Sequence, residues 1–301
     1  ALNGVVGFKP SRGVISTVGL VPACKSLDCI SLMAGCIADI DTVFDVMAGR
    51  DDDDPWSRAR GARHDGHPIR VGLPPVDDLE FFGDDAMRAA HLSFREQLSR
   101  QVSVVEVSLE PFLAAGELLY QGPWVAERWT VVEELHGRDP SAIHPVVRGI
   151  VEGAAKFSAA DAFRSEYRRA ELARIVQTAL ADIDALMVPT AVIAPTIEEV
   201  LSDPLGPNSR LGTYTNFANF ADLCALSLPA GMRVDGVPFG VTFLASAWHD
   251  RKLSCLGRRW SRIRDSSLPG DDALSRPAPP DSVRLAVVGA HLSGMPLNHQ
   301  L

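Results

Sequence analysis

Tyr120 and Arg128 make the most direct case for small-molecule chemistry in this chain. A guanidinium grips a carboxylate through two parallel hydrogen bonds, and a phenol donates another at little entropic cost. On one straight helix the two residues would sit about 12 Å apart along the axis, on loosely related faces. Between them stands Gly122-Pro123, which kinks or breaks a helix and lets the chain turn until both side chains converge. Spacing alone favours a plainer alternative, with Tyr120 in the core and Arg128 on the surface. A second polar group, Asn208, Arg210, Tyr214 and Asn216, either lines a pocket or builds a loop from Asn caps and turns.

Other candidate chemistries are weaker. The five cysteines, Cys24, Cys29, Cys36, Cys224 and Cys255, show no framework spacing. They read as buried free thiols in a reducing compartment, not as four convergent zinc ligands. Asp51 to Asp54 lacks the alternating ligands and terminal Glu of a calcium loop, so a solvated acidic turn is expected. His64-Asp-Gly-His67 reads as surface loop. Ser293-Gly294 has no assignable base or oxyanion donor beside it. Pro189-Thr190 reads as a strand terminus or the rim of a pocket. No metal site is expected from these residues.

Twenty-nine basic against 38 acidic side chains leave a charge of −9, which disfavours nucleic acid or anionic membrane as partner. No apolar run approaches the roughly 18 residues of a membrane span. At 301 residues the chain can bury one sizeable core, with or without a small appendage. A cytoplasmic location is expected.

The elements that must position these residues follow an α/β pattern. A helix is expected over 39–49, capped by Asp39 and closed by a left-handed Gly49, with Ile40, Val43, Phe44 and Met47 on one face. Ile69 to Leu73 and Val102 to Val107 read as strands around a helix from Asp84 to about Arg100, whose apolar face holds Met87, Ala90, Phe94 and Leu98. Pro111 opens another helix that ends at Gly122-Pro123, and the next runs from about Trp124 to Leu135. Ser158 and Asp161 resemble a capping box at the head of a long helix to about Ala181. Ala185 to Val188 and Val237 to Leu244 are short strands, and Asp250 to Arg264 is a basic amphipathic helix. Residues 266–281, rich in Pro, Ser and Asp, read as a linker between residues 1–265 and the start of a further domain at 282–301.

Several motifs carry a resemblance. The run Asn3 to Pro22, with Gly-Phe-Lys9-Pro-Ser-Arg-Gly13 at its centre, is followed by Ser26-Leu27-Asp28. Together they resemble the amidase signature family. Within it, the stretches Ser16–Cys29, Leu119–Arg128, Asn208–Phe217 and Ala286–Leu301 are most similar to allophanate hydrolases. The resemblance implies an amidase signature fold, a twisted mixed sheet flanked by helices, here incomplete at the N-terminus. It further implies that the Ser, the Ser held by a cis peptide, and the Lys that do the chemistry lie upstream of Ala1. Lys9 is then scaffold, and no catalytic residue falls within the chain. Uncovered strand edges and apolar faces are expected on the fragment.

The resemblance implies that allophanate is hydrolysed to ammonia and carbon dioxide, with Tyr120, Arg128 and Arg210 binding substrate. Arg210 ranks below Arg128, and Leu226-Ser-Leu-Pro-Ala-Gly231 falls near the pocket. A homodimer, a functional link to a urea carboxylase and chemistry that needs no metal or organic cofactor are also implied. The alternatives are another amidase, one component of an amidotransferase, or a non-catalytic remnant.

Overall fold

Apolar runs rich in Val, Leu, Phe and Ala become strands. In the computed structural model, which describes residues 1–59 and 70–261, seven of them join into one sheet. In chain order the elements begin with β1 (Val6–Lys9), β2 (Leu32–Ala34), α1 (Ile37–Met47), β3 (Arg70–Leu73), α2 (Asp85–Ser99) and β4 (Ser103–Glu106). Four helices follow: α3 (Glu110–Gln121), α4 (Trp124–Arg138), α5 (Pro145–Glu152) and α6 (Ala159–Ala179). Then come β5 (Ala185–Pro189), the short helices α7 (Ile197–Ser202), α8 (Gly206–Leu211) and α9 (Phe217–Phe220), the long hairpin β6 (Leu223–Met232) and β7 (Pro238–Ser246), and α10 (Asp250–Ser261).

The strand order is β2-β1-β6-β7-β5-β3-β4. β3 runs parallel to β4 and β5, and the other pairs are antiparallel, so the sheet is mixed as expected. On one face Phe8 of β1 meets Phe44 of α1 edge-on, with ring centroids 5.3 Å apart. Phe94 of α2 packs on Phe239 of β7 and on Trp260 of α10. Burying each such ring stabilises the fold by about 1.5–3 kcal/mol. A second helical layer stacks α3 on α6 and α9, with Phe112 against Phe217 at 5.4 Å.

Most helix signals read from sequence hold. Asp84 caps α2 through the Met87 amide, Pro111 stands in the first turn of α3, and Ser158 and Asp161 form a reciprocal capping box. Several expectations need correction. α1 starts two residues before Asp39, which lies in its first turn; Cys36 is the N-cap residue and makes no side-chain cap bond. Gly49 is not left-handed, because the helix ends in an extended Ala48. Ile40 and Phe44 are buried but Val43 and Met47 are exposed, so the apolar face is narrower than the spacing suggests.

The acidic run is not a solvated turn throughout. Asp54 is buried and accepts from the Thr17 amide and hydroxyl and from the Trp56 amide, and Asp51 accepts from the Ser16 hydroxyl. This loop clasps the segment after β1. Leu223–Met232 is a ten-residue strand that its Pro229 and Gly231 conceal, since those residues normally interrupt strands; here the register shifts between them. Of the cysteines, Cys24 and Cys224 are buried, Cys29 and Cys36 are half-buried and Cys255 is exposed; all are free. His64, His67, the linker and residues 282–301 lie outside the described residues. No described helix is long and apolar enough to cross a membrane.

Candidate functional site

The break at Gly122-Pro123 forms as the residue types demand. Gly122 is the C-cap of α3 and Pro123 the N-cap of α4. A Cβ at Gly122 would lie 2.5 Å from the Leu118 carbonyl oxygen and 2.7 Å from the Trp124 ring, so only glycine fits between the helices. Trp124 anchors the start of α4 by packing on Phe220, 4.6 Å between centroids. Tyr120 therefore ends one helix and Arg128 sits in the second turn of the next.

Each finds a different neighbour. The Tyr120 hydroxyl accepts from Asn216 Nδ2 at 3.0 Å, which links the first polar pair to the second polar group across 96 residues. Tyr120 itself is more than half exposed, at 56%. Arg128 is half-buried, its Nε is buried without a hydrogen-bond partner, and no carboxylate pairs with it among the described residues. The Cys24 thiol lies beside it. Burial pushes that thiol up, and hydrogen bonding to Arg128 and then its charge pull it back down. A buried guanidinium N–H without an acceptor costs free energy until an anion satisfies it.

The preceding residue secures this geometry. Glu127 accepts from the Ser26 amide and the Ser26 hydroxyl, both at 2.7 Å, and Arg12 Nη1 donates to the Ser26 carbonyl at 2.5 Å. Asp28 accepts from the Ala23 and Cys24 amides at 3.0 and 3.1 Å, which rigidifies the loop under Arg128. The Ser26-Leu-Asp28 run and the Glu127-Arg128 run, read separately in the sequence, thus form one unit. The same loop borders a cleft of about 300 Å³ that includes Lys25, Asp28, Asp54 and Trp56. No group of three or more His, Cys, Asp or Glu suited to a metal occurs among the described residues.

Residues 1–254 match the Amidase family. The chain belongs to the amidase family. Its similarity to the urea amidolyase of Lachancea kluyveri is 39% identity over the whole of this chain and 18% of that protein. It superimposes on the allophanate hydrolase of Kluyveromyces lactis with a TM-score of 0.83 and 36% identity, covering all of this chain and 52% of that one. A glutamyl-tRNA(Gln) amidotransferase component of Lachnospira eligens is 27% identical over 87% of this chain and 60% of that protein. The amidase chain thus spans about a fifth of the matched urea amidolyase and about half of the allophanate hydrolase.

The second polar group of this amidase divides. Asn216 reaches Tyr120, but Tyr214 is a core residue at 1% exposure, its hydroxyl accepting from the Glu80 amide at 2.6 Å, so it lines no pocket. Asn208 donates to the Pro204 carbonyl in the turn just before its own helix. Arg210 is exposed, with its guanidinium carbon 5.3 Å above the Phe82 ring, whereas the Tyr120 hydroxyl is bonded to Asn216. Lys9 donates to the Pro10 carbonyl from β1. Pro189 closes β5 and the Thr190 hydroxyl meets that of Thr242 at 2.9 Å. Sequence reasoning missed Glu127 and Thr242. A carboxylate directly before the candidate arginine, and a hydroxyl inside an otherwise apolar strand, were the available signals.

Proposed function

We propose that the full-length protein hydrolyses allophanate, with Arg128 binding the substrate carboxylate and Tyr120 the urea end. The observation that carries this reading is the half-buried Arg128 guanidinium, which has no carboxylate partner among the described residues. A small anionic amide supplies the missing acceptor, and a fork of N–H donors matches its carboxylate. Asn216 holds the Tyr120 hydroxyl as acceptor, leaving its own proton free to donate to a ligand. The similarity to urea amidolyase and allophanate hydrolase supports the same substrate.

In the chemistry that the resemblance implies, a serine upstream of Ala1 attacks the terminal amide carbonyl and passes its proton to a Lys and a cis Ser. Backbone amides hold the oxyanion and ammonia leaves. Water then releases N-carboxycarbamate, which loses carbon dioxide. A homodimer, a cytoplasmic location and a functional link to a urea carboxylase belong to the same reading. Arg210 is a peripheral contributor at most.

The test is Arg128→Ala in the full-length protein. KM for allophanate rises by about a hundredfold, the loss of one charged hydrogen-bonded contact, while kcat changes less. An unchanged KM refutes the assignment. A second reading, hydrolysis of another amide, draws on the 27% identity to the amidotransferase component. Preference for simple amides over allophanate would favour it.

A further inference from the structure

An ion cluster joins the two arms of the candidate site. One arm is α9, whose N-cap residue Asn216 donates to the Tyr120 hydroxyl and whose C-cap Ala221 leads directly into Asp222. The other arm is the loop 23–28, which grips the first turns of α4. Its Cys24 thiol donates to the Trp124 carbonyl at 3.6 Å and lies beside Arg128, and Ser26 donates twice to Glu127.

Arg12 bridges the arms. Its Nη1 donates to the Ser26 carbonyl, and its Nε lies 3.8 Å from an Asp222 carboxylate oxygen. Arg58 completes the cluster. It gives Asp222 two parallel hydrogen bonds of 2.8 Å and donates from Nε to the Arg12 carbonyl at 2.7 Å. The Arg58 guanidinium also stacks on the Trp248 ring, 4.6 Å from its centroid.

The cluster differs from ordinary surface pairing, which contributes little. The side chains of Arg12, Asp222 and Arg58 are 21%, 27% and 32% exposed, and the Arg58 fork fixes the carboxylate in one orientation. Burial pulls the Arg12 pKa down, Asp222 pushes it up, and the charges of Arg169 and Arg58 pull it down again. Asp222 is thus the charge that lets two guanidinium groups share one place. Its backbone is left-handed, with φ at 54°, a conformation that Asp and Asn adopt more readily than most residues.

We propose that the Asp222–Arg12 pair is a tether that fixes the Arg128 arm of the site onto α9. Asp222, Arg12 and Arg58 are positioning residues, acting on Arg128 through Ser26 and Glu127. This rests on the reading of Arg128 as the substrate-carboxylate contact.

The experiment uses the full-length protein. Asp222→Asn removes the charge while keeping the shape and the left-handed backbone, and Arg12→Ala removes the bridge. Loosening of the loop is read by alkylation of Cys24, with Cys224 as internal control. Both thiols are buried, but Cys224 lies in the interior strand β6 and is reached only on global unfolding. Each variant raises the ratio of Cys24 to Cys224 labelling by about tenfold, and raises KM for allophanate by about tenfold with a smaller change in kcat. In an Arg128→Ala background the same substitutions change KM by less than about twofold, because the tether acts through Arg128.

A wild-type labelling ratio in both variants overturns the proposal, since any loss of activity would then reflect general instability. A KM effect that adds in full to that of Arg128→Ala overturns it as well. Should either variant fail to fold, Arg12→Lys, which keeps the charge and loses the fork, is read by the same ratio, with a several-fold rise expected and a wild-type ratio overturning the proposal. If Arg128→Ala alone leaves KM unchanged, the substrate reading fails, and the labelling ratio by itself decides the tether.

Discussion

His91 and Arg128 show how single buried polar groups divide between stability and function. Both ring nitrogens of His91 are buried without partners, and the ring packs beside Phe81 at 5.8 Å. Burial, and after it the charge of Arg95, pull its pKa from 6.5 down to about 4. A base with a depressed folded pKa binds fewer protons folded than unfolded between those two values, so stability falls as pH drops from about 6.5 to about 4. The loss is at most about 3 kcal/mol. His91→Leu, which removes the titration, should flatten the acid limb of a urea-denaturation stability profile measured from pH 7 to 4. A profile as steep as wild type would mean that other groups drive acid unfolding. Arg128 differs in presenting a buried Nε donor that has no acceptor among the described residues, a place for a ligand oxygen.

At the scale of elements, the turn between α3 and α4 matters most, because it decides where Tyr120 and Arg128 stand. Gly122→Ala forces a methyl against the Leu118 carbonyl and the Trp124 ring. It should cost about 1–3 kcal/mol in chemical denaturation and weaken substrate binding along with Arg128→Ala. Normal stability in that variant would show that the helices can part without penalty. The long α6 contributes differently. Arg169 donates to the Phe220 carbonyl and Gln177 to the Ala221 carbonyl, satisfying backbone groups at the end of α9. These bonds steady the short helix whose neighbour Asn216 holds Tyr120.

Across the whole molecule, the sheet places apolar interior and exposed margin unequally. Leu226, Val241, Phe243 and Leu244 are fully buried at its centre, whereas Met33 on the edge strand β2 is 59% exposed and Val46 of α1 is 83% exposed. The edge strand is only three residues long, which limits edge pairing, so the exposed apolar side chains are what invite association. The double substitution Met33→Lys and Val46→Lys should lower light scattering at high protein concentration, with stability changed by no more than about 0.5 kcal/mol. Unaltered scattering would locate the sticky surface elsewhere, for instance at Ile197 and Leu201 of α7, which are also exposed.

Local chemistry was legible in the residue order. Helix starts at Asp84 and Ser158, the break at Gly122-Pro123, the apolar strand at Ala185–Pro189 and the amidase resemblance all rest on near neighbours in the chain. Such features depend on a few dihedral angles and on spacing, which the order of residues determines. Tertiary structure alone decided the rest. It joined Asn216 to Tyr120, Glu127 to Ser26, Asp54 to Thr17 and Thr242 to both Thr190 and Ser227. These contacts join residues 15 to 101 positions apart in sequence, and only the packing of the layers selects them. Wholly apolar strands also conceal which face each side chain takes, because burial on both sides erases the two-residue alternation. The Thr190–Thr242–Ser227 hydroxyl contacts and the buried acidic clasp therefore had to be seen in three dimensions.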